Sequence, residues 1–437
     1  MQADKITLND LAIFHPDEEQ SVFHHLNHTL TNGGRDYLRY LLAHPLDNVH
    51  AITDTQKTIR HLTAVINKWP VSPTNGTNMV LQKFFETQVD TYPETPQTIN
   101  SEWYRFFHKS DFSLTQFTVQ HALDFLQGMQ TIARLTGNSP DCKLLSRLSE
   151  RIETILNKDL IQQMIQQNKE KLSTTEVLTY ANYIRFKFKA AAEELINIHA
   201  KLDAYLSLAK AGEKYGFCFP DFLDQDQPMV EATGLFHFML PLPVAYRIHL
   251  SEKANFLFLT GANMAGKSTF IKASGLAVFL AHIGMGVPAQ QMKLSYFNGI
   301  LSNIQIADNI ARGESFFFNE VQRIKNTITT INDGKKWLIL IDELFKGTNQ
   351  QDAVKCSTIV IEGLLKLNNA LFILSTHLYE IGDSLKKYPN IQFRYFETAV
   401  KNDQLIFSYQ LKEGISNDRL GYLILKREGV VDLLEKL

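Results

Sequence analysis

The chain has 437 residues, 44% of them hydrophobic and 21% charged, with 44 Lys+Arg against 46 Asp+Glu. That balance excludes a disordered or fibrous protein and gives no global basic field to draw in nucleic acid; the length allows roughly two to three domains with cores that need no disulfides. Cys142, Cys218 and Cys356 form no CxxC pair, so neither a disulfide framework nor a zinc site is predicted. The opening MQADKITLND lacks the basic start and apolar run of a signal peptide, and no window approaches about 18 uncharged apolar residues. The expectation is a cytoplasmic protein without membrane contact.

The segment 1–227 holds 7 of the 22 glycines and 8 of the 13 prolines, and its net charge is −5. It reads mainly as helix. Pro70, Pro73, Pro93 and Pro96 punctuate a Thr-rich stretch that reads as loops between helices. From Ser113 to Leu135 apolar residues recur at helical spacing, among them Phe117, Phe125, Leu126, Met129 and Ile132. From Ser173 to Ala211 there is no Pro or Gly, and Gly212 follows as a stop signal. Leu178, Ile184, Phe188, Leu195, Leu202 and Leu206 mark one face of this run. The run exceeds the usual globular helix in length, which predicts a long strut or lever; the other reading is a helix pair with a turn between.

The remainder carries 15 glycines and a net charge of +3. Phe256 to Thr260, Trp337 to Ile341 and Leu371 to Ser375 read as buried parallel strands, each followed by a helical segment. Phe393 to Val400 and Leu405 to Leu411 flank Lys401-Asn402-Asp403, a predicted hairpin, and a short helix from about Asn417 closes the chain. The expected fold class is therefore all-α followed by α/β: a helical module over 1–227, then a domain with a mostly parallel sheet over 228–437.

Gly261-Ala262-Asn263-Met264-Ala265-Gly266-Lys267-Ser268, followed by Thr269, matches GxxxxGK[ST] between a strand and a helix. This predicts a P-loop NTPase site. The glycines let the backbone wrap phosphates, Lys267 is placed to reach the β and γ phosphates of ATP, and Ser268 to ligate Mg²⁺. Further along, an apolar strand ends in Asp342-Glu343. Asp342 fits a second Mg²⁺ role and Glu343 the acid that orients the attacking water. After the next strand comes Ser375-Thr376-His377, where His377 is a candidate γ-phosphate contact.

Taken in order, these residues resemble the MutS mismatch-repair ATPases, which are relatives of ABC-type ATPases. Thr260 to Thr269, TGANMAGKST, looks like the family's TGPNMGGKST. Val287 to Gln290 is its VPAQ, and Asp308 through Gly313 and Ser315 to Glu320 is similar to its D-x-x-x-x-G-x-S-T-F-x-x-E loop. Asp342-Glu343 with Gly347-Thr348-Asn349 and Asp352 resembles DE-I-G-R-G-T-S and its downstream Asp, with Leu344-Phe345-Lys346 where the family has Ile-Gly-Arg. Ser375-Thr376-His377 looks like its ATH. Upstream, Glu231 to His237 and Asn32 to Ile59 resemble the strand entering the ATPase and the start of the core or lever.

The resemblance implies a Mg²⁺-dependent ATPase that homodimerises through the ATPase domain, with Ser315 binding the partner's nucleotide in trans and Asn263 touching the nucleotide. It also implies double-stranded DNA as ligand. The chain begins directly in the core, so the family's mismatch-reading and connector domains are expected to be missing. Branched DNA in recombination, or assistance to a full-length MutS or other repair protein, therefore stands beside mismatch repair. The contrasting expectation is an ATP-dependent interaction module that acts on a protein partner without reading DNA.

Overall fold

The computed structural model describes residues 1–87, 92–93, 96–137, 139, 141–304, 316–401, 404–416 and 430–434. It contains two compact units. One comprises Leu26–Ala43 and Thr53–Lys214; the other comprises Met1–His25, His44–Ile52 and Tyr215–Leu437.

In chain order the first elements are β1 (Gln2–Ala3), α1 (Lys5–Asp10), α2 (Val22–Leu26), α3 (Asn32–Ala43) and α4 (Val49–Val65). Then come α5 (Asn75–Glu86), α6 (Thr98–Phe107), α7 (Lys109–Thr136), α8 (Lys143–Leu156), α9 (Asp159–Gln166), α10 (Thr174–Lys187) and α11 (Lys189–Tyr215). A hydrophobic core within the helical unit draws Leu123, Met129 and Ile132 from α7, Leu145 and Ile152 from α8, Met164 from α9, and Leu195 and Leu202 from α11. The run from Ser173 to Ala211 is a helix pair and not one long helix. A capping box between Ser173 and Glu176 starts α10, and the chain breaks at Phe188, whose φ of −113° and ψ of −5° leave the ideal α-helical geometry. Phe188 is buried and its ring stacks on Tyr183 at 6.0 Å, so core packing holds the break. Gly212 sits inside α11; the helix ends at Tyr215, before Gly216 at φ +66°.

Asp203 of α11 is buried and accepts from the backbone N–H of Leu30 and Thr31 and from Thr31 Oγ1 at 2.7–3.0 Å. One carboxylate thus satisfies the turn that starts α3.

The other unit continues with β2 (Asp221–Leu223), β3 (Val230–Leu235), β4 (Tyr246–Leu250), β5 (Phe256–Thr260), α12 (Lys267–Ile283), β6 (Gln291–Ser295) and β7 (Gly299–Asn303). It ends with α13 (Phe316–Ile331), β8 (Trp337–Asp342), α14 (Gln350–Leu364), β9 (Ala370–Ser375), α15 (Tyr379–Leu385), β10 (Ile391–Lys401), β11 (Gln404–Glu413) and a short helix over Val430–Leu434. The main sheet runs β1-β7-β8-β9-β5-β10-β11 and is parallel except for the β10–β11 pair. A second sheet runs β2-β6-β3-β4. Strands β5, β8 and β9 are buried at every residue, as continuous apolar runs in a parallel sheet demand. The expected hairpin is present as β10–β11, with Asn402 and Asp403 outside the described residues; so is most of the helix expected from Asn417.

The units do not follow a single cut at position 227: residues 1–25, 44–52 and 215–227 all fall with the sheet-containing unit. Met1–His25 belongs with the sheet: β1 pairs with β7, and Asp10 accepts from Ser302 Oγ at 2.5 Å and from Ile304 N at 2.9 Å. Hydrogen bonds this distant in sequence leave no periodic signal. Among the described residues no helix is long and apolar enough to cross a membrane.

Candidate active site

The register of three strands sets the site. Strand β9 lies between β5 and β8; Ser375 pairs with Leu259 on one side and Asp342 on the other. The segments leaving these strands are Gly261–Gly266, Glu343–Asn349 and Thr376–Leu378, and they emerge together at the C-terminal edge, where parallel sheets bind ligands. Backbone bonds tie them: Thr376 N donates to Leu259 O at 2.9 Å, and Glu343 N to Ser375 O at 3.0 Å.

The Gly261–Gly266 loop turns sharply before α12. Gly261 and Gly266 take φ +135° and +109°, a region that side chains resist, and Gly266 has φ/ψ +109°/7° as it caps the helix. Met264 also takes a positive φ, +68°, and its side chain is 72% exposed. Ala265 is buried inside the loop. Lys267 Nζ donates to the carbonyls of Gly261 at 2.8 Å and Ala262 at 3.0 Å. Burial pushes the Lys267 ammonium down to about 8, even though Glu343 and Asp342 lie close enough to favour its charge.

Asp342 is buried and bridges two hydroxyls: Ser268 Oγ donates to one carboxylate oxygen and Ser375 Oγ to the other. Glu343 accepts from His377 Nε2 at 2.8 Å and pairs with Lys346 Nζ at 3.3 Å. Burial pushes the Glu343 carboxyl up, but His377 and Lys346 together outweigh that and hold it at about 2. His377 Nε2 also lies 3.3 Å from Lys267 Nζ. The shorter contact assigns the ring hydrogen to Glu343.

A cavity of about 460 Å³ opens over this edge. Asn263, Met264, Gly266, Lys267, Ser268, Thr269 and Glu343 line it, so seven of the residues predicted from sequence meet there. Asp342 and His377 connect to it through Ser268 and Glu343. Leu240, Leu242, Val244 and Tyr246, with Tyr409 of β11, also line it. No sequence motif marks Leu240 or Leu242 as lining residues, and Tyr409 arrives only through the register of the hairpin. Ser375 was quoted in a motif but its grip on Asp342 was not foreseen.

The turn after Glu343 is strained. Glu343 and Phe345 both take positive φ, +69° and +59°. Such residues cost about 1–3 kcal/mol each and cluster at functional sites. Glu320 of α13, buried, accepts from Lys346 N at 3.0 Å and Gly347 N at 3.1 Å. Ser315, with residues 305–314, lies outside the described residues.

The family model for MutS domain III matches residues 6–209, and that for MutS domain V matches residues 257–432. The chain belongs to the MutS family. A DNA mismatch repair protein MutS from Leptospira interrogans is 31% identical over 306 residues, covering 67% of this chain and 34% of the relative. One from Thermotoga maritima is 29% identical over 255 residues, 56% of this chain and 31% of the relative. The human MutS protein homolog 4 is 32% identical over 230 residues, 50% of this chain and 24% of the relative. This MutS-family chain thus matches about a third or less of the length of each of these relatives.

Within the family pattern Phe345 occupies the glycine position of DE-I-G-R-G. Its φ of +59° keeps the left-handed backbone that a glycine takes without cost.

Proposed function

We propose that this MutS-family chain binds ATP with Mg²⁺ at the Gly261–Ser268 loop and hydrolyses it. Nucleotide state then governs its hold on mismatched or branched double-stranded DNA, in repair or recombination. The observation that carries the ATPase is the convergence of Lys267, the Ser268–Asp342 pair and the Glu343–His377 pair on one cavity.

Each residue has a role that its chemistry supports. The Gly261–Gly266 loop and the first turn of α12 offer backbone N–H groups and the positive end of a helix to phosphates. Lys267 adds a cationic point charge next to them. Ser268 Oγ and the Asp342 carboxylate are hard oxygen donors side by side, the donor type that Mg²⁺ takes alongside phosphate oxygens. Magnesium when bound would neutralise charge on the phosphates. Glu343, held ionised at the cavity wall, orients and polarises a water molecule, and His377 fixes the Glu343 carboxylate while remaining within reach of Lys267. Tyr246, Tyr409 and the leucines give an apolar wall for the base. A homodimer through the ATPase domain, with Ser315 completing the partner's site, belongs to the same proposal.

The test is turnover. Wild-type protein with ATP and Mg²⁺ is expected to release phosphate, and Glu343→Gln to lower kcat by about a hundredfold or more while ATP affinity stays within a few-fold, because the water-orienting acid is removed and the phosphate ligands are not. Undiminished turnover in that variant would rule Glu343 out of the role.

One observation favours a second reading. The segment 1–227 carries a net charge of −5, which disfavours extensive phosphate contact. The motor would then serve a protein partner, such as a full-length MutS, without reading DNA.

A further inference from the structure

The proposed hydrolysis leaves Glu320 without a role. A carboxylate buried to 2% exposure, far in sequence from the acid pair, with both oxygens spent on consecutive backbone N–H groups, is an expensive arrangement for a mere helix residue. Those N–H groups belong to Lys346 and Gly347, in the turn that begins at Glu343. Three further observations bind the same two segments. The rings of Phe317 and Phe345 sit 5.7 Å apart. A Cβ on Gly347 would lie 2.8 Å from Phe317 N and 2.7 Å from Phe316 Cδ1, so the turn packs backbone to backbone on α13. And Phe345 holds a left-handed φ that only surrounding contacts can maintain.

We infer that Glu320 is a positioning residue for Glu343: its carboxylate clamps the Glu343–Gly347 turn onto the first turns of α13 and so fixes where the Glu343 carboxylate points. Lys346 is the hinge of this arrangement. Its backbone N–H is held by Glu320 while its ammonium pairs with Glu343. Releasing the backbone of Lys346 therefore loosens one of the two partners that orient the acid. The strain at Phe345 gives the released turn a reason to relax, since a phenylalanine freed from its clamp returns to negative φ.

The experiment is Glu320→Gln, an isostere that keeps one acceptor and turns an N–H₂ group against the other backbone donor. The first readout is amide hydrogen exchange, which needs no activity. Lys346 and Gly347 are expected to exchange at least about tenfold faster than in the wild type, with the amides of β8 and β9 unchanged. The second rests on the proposed ATPase: kcat falls by about tenfold or more while ATP affinity stays within about twofold, the pattern of a lost transition-state interaction. Unchanged exchange at Lys346 and Gly347 in Glu320→Gln overturns the inference. If the variant does not fold, the wild type decides: exchange at those two amides as fast as in an unbonded loop overturns it, and strong protection supports it. A wild type without turnover would sink the ATPase proposal yet leave the exchange comparison standing.

Discussion

Lys267 and Glu343 are both penalised by burial at one cavity, and they differ in how far their neighbours offset it. The lysine has lost water and gained only partial compensation, so its ammonium is held near 8; the glutamate has lost water too, but His377 and Lys346 more than replace it. The phosphate-binding role requires the ammonium. As pH rises through 8, the free protein must take up a proton to bind ATP. Apparent affinity should fall between about pH 7.5 and 9.5, approaching about tenfold per unit at the upper end. A fluorescence titration of ATP binding across that range checks it, and a flat profile counts against Lys267 as the phosphate ligand. The chemistry of these residues was legible in the sequence because each sits at a fixed offset from a glycine turn or a strand end. What was not legible is which neighbour satisfies them. Lys346 and Ser375 differ from the family's own residues at those places, and no spacing announces the contact that Ser375 makes with Asp342 from the neighbouring strand.

At the scale of elements, strands β5, β8 and β9 and the β10–β11 hairpin were readable, because a buried parallel strand is a short apolar run and a hairpin brackets a turn. The break at Phe188 was not. Helical periodicity runs through it, and the residue that breaks the helix is apolar and buried, so packing overrides a local signal for continuity. The start of α3 shows the same dependence on tertiary contact. Its turn is satisfied by Asp203, which follows only near the end of the helical unit. Asp203→Ala would leave the N–H and hydroxyl of Thr31 buried without the carboxylate that accepts from them, at a cost of about 3 kcal/mol, with Asp203→Asn recovering part of it. Denaturant unfolding followed by far-UV circular dichroism measures this. A loss below about 0.5 kcal/mol for the alanine variant, the range of an ordinary surface substitution, would show that the turn finds other acceptors.

For the molecule as a whole, the sequence divided into a helical part and an α/β part, and the structure contains both, but the residues do not sort by position. Met1–His25 and His44–Ile52 belong to the sheet-containing unit. No periodicity could have reported that, since β1 is only two residues long and its partner β7 lies far along the chain. The ligand governed by the ATPase is a question at this scale too. Competition among homoduplex, mismatched duplex and four-way junction, each with and without ATP over a salt series, separates the two proposed readings. A structure preference that shifts with ATP is the expected outcome for a DNA-directed motor. No binding to any of the three, with turnover intact, would assign the motor to a protein partner.

The pairing of β1 with a late strand also constrains the order in which the fold can be assembled. On the ribosome, Gln2–Ala3 and the buried side chains of Leu11 and Ile13 leave the exit tunnel long before Gly299 exists to receive them. The helical unit between them is complete by Lys214 and is free to fold first, as domains do during synthesis. The segment that carries β1 must therefore wait, unpaired, while the whole helical unit and β5 are translated. A protein with this connectivity exposes that segment to chaperones for longer than any other part of the sheet, and a fragment made from the later sheet-forming residues alone would present the bare edge of β7 to any strand that meets it.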